Sequence, residues 1–430
     1  MMRLQLTTLL PLLALVPLGC DDGAAVADVI VLDGAAALDG RGLDADASTN
    51  DDTGAADDVH NIDALRGDEG GDTRDATPLD TDGGSGDDGD VSNAGDTSAD
   101  GVPDGVAEDG GEAGDGGCES TCGGECIAGR CRETIAGGLF HPYNLAVNAT
   151  HIFWTSTYTD EPMVMRVPLA IGMPEVLATG PACHSIVVEG NDVYWTELLY
   201  RPSGSIKTVP IVGGVAVTIA SIQDNPHALG VDKTHVYWAN WVDSGEVWKA
   251  SRADGTLTPL AAGQAKPVRL AIDDKFVYWT NRVPGTGTVM KVPLDGSSGP
   301  IEVARDQDEP YGIAVDKTNL YWTSLGSKKV MKVPLDGSGP PVTLADLQGG
   351  VRDLKPLGLA VDATHVYWTV YSEQDKAATG ALRRVPIEGG PWTELAEAQS
   401  YDVILDEIGV YWTKWGDDQV ANGAIYRMHK

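Results

Sequence analysis

The chain has 430 residues and a formal net charge of −34, from 64 acidic and 30 basic side chains. Residues 21–117 hold 28 of the acidic and 3 of the basic side chains, so residues 118–430 are only mildly acidic. No basic patch exists, and the acidic field opposes a phosphate backbone, so nucleic-acid partners are excluded. All 11 Trp, 13 Tyr and 3 Phe fall within residues 132–430, the region able to build a core.

Residues 1–20 read as an export signal. Arg3 is the charged start, and Leu6 to Val16 is an apolar run broken by Thr7 and Thr8, too short to span a bilayer. Gly19-Cys20 ends the run and resembles a bacterial lipoprotein cleavage box, with Pro17 where Leu is usual. The resemblance implies cleavage before Cys20, a lipid on its thiol, and a membrane-anchored place in the cell envelope, at the outer membrane or cell surface. Ordinary signal cleavage is the alternative.

Residues 21–117 are rich in Asp, Gly and Ala and lack aromatic residues. Burial there cannot offset chain entropy, so the expectation is a disordered acidic linker. The stretch from Asp80 to Asp90 resembles an Asp-rich Ca²⁺ loop but lacks the twelfth-position Glu and flanking helices of an EF-hand. No cofactor is expected beyond weak divalent-cation association with this linker.

Cys118, Cys122, Cys126 and Cys131 form a small cluster over residues 118–131. In an exported chain these read as two disulfides, with three pairings open. A zinc site is the rival, but the cluster has no C-x2-C knuckle and no His. Cys183 stands where most repeats carry Pro and reads as a buried, inert thiol.

Residues 132–430 are a repeat array. Seven aromatic-Trp pairs centre on Trp154, Trp195, Trp238, Trp279, Trp322, Trp368 and Trp412, at spacings of 41, 43, 41, 43, 46 and 44 residues. That is the period of a four-stranded propeller blade. In the fifth repeat, strand A runs from Tyr311 to Asp316, B from Asn319 to Ser324, C from Lys329 to Pro334 and D from Pro341 to Ala345. Strand A lies nearest the axis, where blades crowd, and one of its positions is small: Ala146, Val187, Gly230, Ala271, Ala314 and Ala360, with Ile404 the exception. Asp232, Asp273, Asp316, Asp362 and Asp406 suit Asx turns into strand B. Asp295-Gly296 and Asp336-Gly337 suit C–D hairpins.

The seventh repeat stops after three strands, ending near His429. Residues Arg132 to Gly138 resemble the D segment Pro174 to Gly180 and would complete the last blade, removing an open edge. The expected fold is an all-β, seven-bladed β-propeller closed by this amino-terminal strand.

These repeats resemble the YWTD, or low-density-lipoprotein receptor class B, repeat over residues 132–430. Two features depart from that family. Its Asp becomes Ser156, Glu197, Asn240, Asn281, Ser324, Val370 and Lys414, and its usual six blades become seven. The resemblance implies the propeller; function must be read from the site.

Function is expected where repeats differ. The position after each opening Pro reads Tyr143, His184, His227, Val268, Tyr311, Leu357 and Tyr401. The next reads Asn144, Ser185, Ala228, Arg269, Gly312, Gly358 and Asp402. The B–C loops share that face and add Glu197, Trp241, Asn281 and Trp415. From these, Tyr143, His184, His227, Arg269, Tyr311, Tyr401, Asp402, Glu197, Trp241 and Trp415 are the candidate ligand-binding residues. The His184–His227 pair fits acid–base or metal chemistry, but no third ligand is identifiable, and packing at the channel mouth is the plainer role. No catalytic or metal-ligating residue is assigned, and no nucleophile elbow, P-loop, Rossmann fingerprint or H-E-x-x-H occurs. The expectation is a monomeric, exported, lipid-anchored binding module for a protein or glycan. The alternative is a divalent-metal-dependent lyase or hydrolase at the channel mouth, as in virginiamycin-B-lyase-like or regucalcin-like propellers.

Overall fold

The computed structural model describes residues 124–430 except 128, 158, 160, 171, 200–202, 349–353, 373–379, 398–399 and 417–419. The expected export signal, the expected acidic linker, Cys118 and Cys122 lie outside the described residues. Every regular element described is a β-strand, arranged in six four-stranded antiparallel sheets and one five-stranded sheet. The fifth blade shows the pattern: Pro310–Val315 (A), Asn319–Ser324 (B), Lys329–Pro334 (C) and Val342–Asp346 (D), paired in that order. These bounds lie within a residue or so of those read from the repeat.

The aromatic pair explains how blades assemble. Consecutive strand residues point to opposite faces of a sheet. Accordingly, the Tyr or Phe faces the next blade and the Trp faces the previous one. Phe153 of blade 1 shares a core with Trp195 of blade 2, Tyr237 of blade 3 with Trp279 of blade 4, and Tyr367 of blade 6 with Trp412 of blade 7. Tyr411 of blade 7 shares its core with Trp154 of blade 1, which closes the ring. The hydrophobic core is thus seven inter-blade cores, one between each neighbouring pair. Each Trp is at most 1% exposed, and truncating such a side chain to Ala costs about 3–5 kcal/mol.

Near the axis the packing leaves no spare room. A Cβ on Gly230 would lie 2.6 Å from Ile272 Cδ1 and 2.7 Å from Leu270 Cδ2 of the neighbouring blade. The Asp after strand A has two tasks. In blade 3, Asp232 Oδ1 accepts from the Thr234 and His235 amides, and Oδ2 accepts from Tyr237 OH at 2.8 Å. Blades 4, 5, 6 and 7 repeat the tyrosine bond with Asp273, Asp316, Asp362 and Asp406. Blade 1 has Phe153, which offers no hydroxyl, and its turn uses Asn148, whose Oδ1 accepts from the Thr150 and His151 amides.

Two further bonds stitch one blade to another. In blades 1, 4 and 5 the Thr after the Trp donates to the carbonyl of the first axial residue of the next blade: Thr155 to His184, Thr280 to Tyr311 and Thr323 to Leu357. A Gln at the end of strand D accepts from the next blade's Trp Nε1. Gln223 serves Trp238, Gln264 serves Trp279 and Gln307 serves Trp322, at 2.8, 3.2 and 3.0 Å.

The last blade is Val403–Leu405, Gly409–Lys414 and Gly423–His429, completed by Arg130–Leu139 from the other end of the chain. The ladder runs from Arg132 opposite Met428 to Leu139 opposite Gly423. Glu133 accepts from Arg427 Nε at 2.8 Å, and the Arg132 guanidinium lies 4.5 Å from the Tyr426 ring. A fifth strand, Glu125–Ile127, adds outside it and was not legible in the repeat pattern.

Candidate functional site

Antiparallel blades place every D–A and B–C connection at one end of the ring. Five D–A connections turn through a left-handed residue directly before strand A: His141, Ala182, Asn225, Lys266 and Glu309, with φ between 42° and 58°. The turn delivers the next side chains towards the axis. Tyr143, Trp241, Val268, Tyr311, Leu325, Leu357 and Tyr371 form one buried axial cluster, with Tyr401 and Trp415 packed on it. Centroid distances of 4.8 Å for Tyr143–His184, 4.0 Å for His184–His227 and 5.0 Å for His227–Trp241 trace one arc of it. Tyr143–Tyr401 at 5.5 Å and Tyr401–Trp415 at 4.8 Å trace the other.

Tyr143, His184, His227 and Tyr311 are at most 1% exposed and Trp241 is 7% exposed, so these candidates contact one another rather than solvent. Tyr401, Trp415, Arg269 and Asp402 keep some accessible surface. Glu197 stands apart: its Oε2 accepts from Ser205 Oγ at 2.7 Å and pairs with Lys207 at 2.9 Å, both on strand C of its own blade. His141, stacked 4.5 Å from Trp415, and Tyr371 belong to the cluster but were not foreseen. Tyr371 sits where strand B of blade 6 runs on to Ser372, an extension beyond the repeat's reach.

His227 has a structural task. Blade 3 carries Ala239 where the repeat has Thr, so the stitch to the Val268 carbonyl is missing. His227 Nδ1 takes it over, donating to that carbonyl at 3.3 Å. This bond requires the proton on Nδ1. Burial, reinforced by the Arg269 charge, pushes the His227 pKa down to about 3. His184 is fully buried. Burial, then the His227 and Arg269 charges, hold it neutral too, against a backbone hydrogen bond to His227.

Arg269 reaches across the axis from blade 4. Nη1 donates to Asn144 Oδ1 of blade 1 at 2.7 Å, and Nη2 to Tyr311 OH of blade 5 at 3.1 Å. Asn144 Nδ2 donates onward to the His184 carbonyl. Burial opposes the guanidinium charge, but Tyr311, Tyr143 and Asp402 outweigh it and raise its pKa. Burial raises the Asp402 pKa, against Arg269 and two backbone donors. Those donors are the Leu145 amide to Oδ2 at 2.8 Å and the Val403 amide to Oδ1 at 3.0 Å.

Among the described residues no group of three or more His, Cys, Asp or Glu side chains is placed to hold a metal ion. Cys183 is fully buried beside Glu197, and burial foremost pushes its thiol up to about 12, so it is not nucleophilic. Cys126 and Cys131 lie opposite each other in the hairpin of the added strand.

The fold and the axial cluster define a seven-bladed β-propeller with a polar and aromatic plug at the channel. No family model matches the chain, and no curated protein does. Among solved structures it is similar to a chain of a crystal structure of a nidogen/laminin complex. The identity is 18% over 47% of this chain and 79% of that one, with a TM-score of 0.40. The fold assignment rests on the strand pairing of this chain.

Proposed function

We propose that this propeller is an exported, lipid-anchored interaction module that binds an extracellular or envelope protein or glycan on its D–A and B–C loop face. The observation that carries the reading is the unequal variability of the two ends. At one end the A–B connections are two or three residues and the C–D connections five to seven, whereas at the other the B–C connections run from four residues (241–244) to eight (373–380 and 415–422). A scaffold that varies one end more than the other has its specificity in the more varied loops. Phe140 and Val420 are exposed apolar side chains on that end, at 49% and 56%. Two disulfides among Cys118, Cys122, Cys126 and Cys131 would fasten the linker to the last blade.

The test is capture of partners from envelope extract, with a glycan array in parallel. Phe140→Arg with Val420→Arg should abolish binding. Asp295→Arg with Asp336→Arg, in C–D turns at the opposite end, should leave it intact. Loss with the second pair and retention with the first would overturn the reading.

A further inference from the structure

The end of the ring that holds the A–B and C–D connections is not uniform. The C–D connections of blades 3, 4 and 5 have polar tips, in which Asp254, Asp295 and Asp336 each accept from the amide two residues on. In blades 6, 1 and 2 the tips instead carry Trp392, Met173, Val212 and Val215, exposed by 39, 80, 79 and 85%. Blade 7, between blades 6 and 1, adds Ile408 at 53%. It stands in an A–B turn where blades 1, 3, 5 and 6 have Thr150, Thr234, Thr318 and Thr364. One arc of this end, over blades 6, 7, 1 and 2, is therefore apolar at its tips, and the other is polar. The first residues of strand D, such as Leu257, Ile301 and Val342, are exposed in the polar arc too and belong to the repeat; the apolar tips do not.

Local chemistry holds these tips in place. Gly213 and Gly214 take φ of 88° and 139°, which only glycine adopts freely, and the Gly213 amide donates to the Pro210 carbonyl at 2.8 Å. The turn leaves Val212 and Val215 uncovered on either side of it. The Arg166 guanidinium ties this tip to blade 1, pairing with Glu175 and donating to the Ile211 carbonyl. Trp392 lies over the Arg383 guanidinium, 4.3 Å from its ring centroid, and Arg383 pairs with Glu394. Exposed apolar patches mark docking sites for proteins or membranes, and Trp favours the interface of a bilayer. Where the rest of the chain arrives decides between them. In the last ladder Arg132 lies opposite Met428, near the end of strand C. The hairpin of Glu125–Ile127 with residues 130–132 therefore sits at the same end of the ring as the arc, on the outer edge of blade 7. The residues that lead back to Cys20 leave the described fold there, at Gly124.

We propose that the apolar arc docks on a lipid bilayer, with Trp392, Ile408, Met173, Val212 and Val215 entering the boundary between headgroups and acyl chains. The proposal rests on the lipid-anchor reading in one respect, the nearness of a bilayer. Docked in this way, the ring turns its D–A and B–C loop face away from the membrane and towards a partner. Because Arg166 and Arg383 are committed to Glu175 and Glu394, the attraction is apolar. A zwitterionic bilayer is enough, and salt has little effect on it.

The test is quenching of the tryptophan fluorescence of the full-length protein by vesicles of phosphatidylcholine with brominated acyl chains. Attachment through Cys20 alone does not bring Trp392 to the acyl boundary, so quenching reports the arc and not the anchor. Quenching should occur at low and high salt and be lost in Trp392→Phe. Val212→Asp with Val215→Asp should remove most of it, because the carboxylates resist transfer from water. These side chains are exposed, so an unchanged melting temperature should show that the variants fold. Cys20→Ser, run in parallel, separates the two readings. Wild type that sediments with vesicles when Cys20→Ser does not supports the anchor, whatever the fluorescence shows. Wild type held on vesicles with Trp392 unquenched overturns the arc alone, and quenching of Cys20→Ser supports the arc without the anchor. Quenching that needs anionic lipid and disappears with salt would overturn apolar docking. A lipid-free dimer dispersed by Val212→Asp with Val215→Asp would give the arc to a second copy of the chain and overturn the proposal too.

Discussion

Ile222 sits in the left-handed region at φ 57° and is 72% exposed. A β-branched side chain is strained there. The equivalent D-strand positions of blades 7 and 3 are Gly138 and Gly263, at φ 68° and 67°. Ile222→Gly removes the strain and gives up little packing, so we expect it to stabilise the protein by about 1 kcal/mol, less the flexibility Gly adds to the unfolded chain. Chemical denaturation checks this; a loss of stability would contradict it. His227 makes a second residue-scale prediction. Its folded pKa lies near 3, below the usual imidazole value, so the unfolded chain takes up its proton first as pH falls. Stability contributed by neutral His227 is full above about 6.5 and is lost between there and about 3, at up to about 1.4 kcal/mol per pH unit. His227→Tyr should flatten this acid limb but leave the Val268 carbonyl without a donor, at about 1–3 kcal/mol. Ala239→Thr supplies the repeat's own donor and should restore that loss in the double variant. Unfolding curves at several pH values test both statements, and a double variant no better than His227→Tyr would refute the stitch.

Strand Arg130–Leu139 carries the closure. A chain beginning at Leu139 exposes the ladder edge of Gly423–His429 and uncovers Ala136's place in the core shared with Trp154 and Tyr411. We expect it to melt well below a chain beginning at Gly124 and to aggregate through the open edge. Equal melting and equal monodispersity in size exclusion would refute closure by this strand. The strands themselves were legible because each repeat states its own boundaries: Pro opens strand A, Asp ends it, and the aromatic pair marks strand B. The Thr and Gln stitches were not legible, because each joins residues of different repeats, and periodicity describes only what lies within one. The added strand Glu125–Ile127 escaped for a related reason: it belongs to no repeat and has only three residues. At the site, the axial positions were readable as the places where repeats differ. Their mutual burial was not, since burial depends on how Tyr371, His141 and Trp415 from separate blades meet over the axis.

Seven inter-blade cores and one axial cluster make the molecule a ring whose stability is shared by neighbours and whose ends must meet. Such a ring is a rigid platform, and the proposed lipid anchor at Cys20 would hold it in the cell envelope. Cys20→Ser should release the protein from membrane fractions into the soluble envelope fraction. Retention in the membrane would contradict lipidation at that residue. The central claim, that the chain closes on itself through its amino-terminal strand, has a direct chemical test. Glu133 and Arg427 face each other in the last ladder, 294 residues apart in sequence. Glu133→Cys with Arg427→Cys should form an intramolecular disulfide under mild oxidation. The oxidised monomer should then migrate faster on a non-reducing gel and return to normal mobility on reduction, while neither single variant shifts. An unshifted monomer, or cross-linked dimers in its place, would contradict the closed ring.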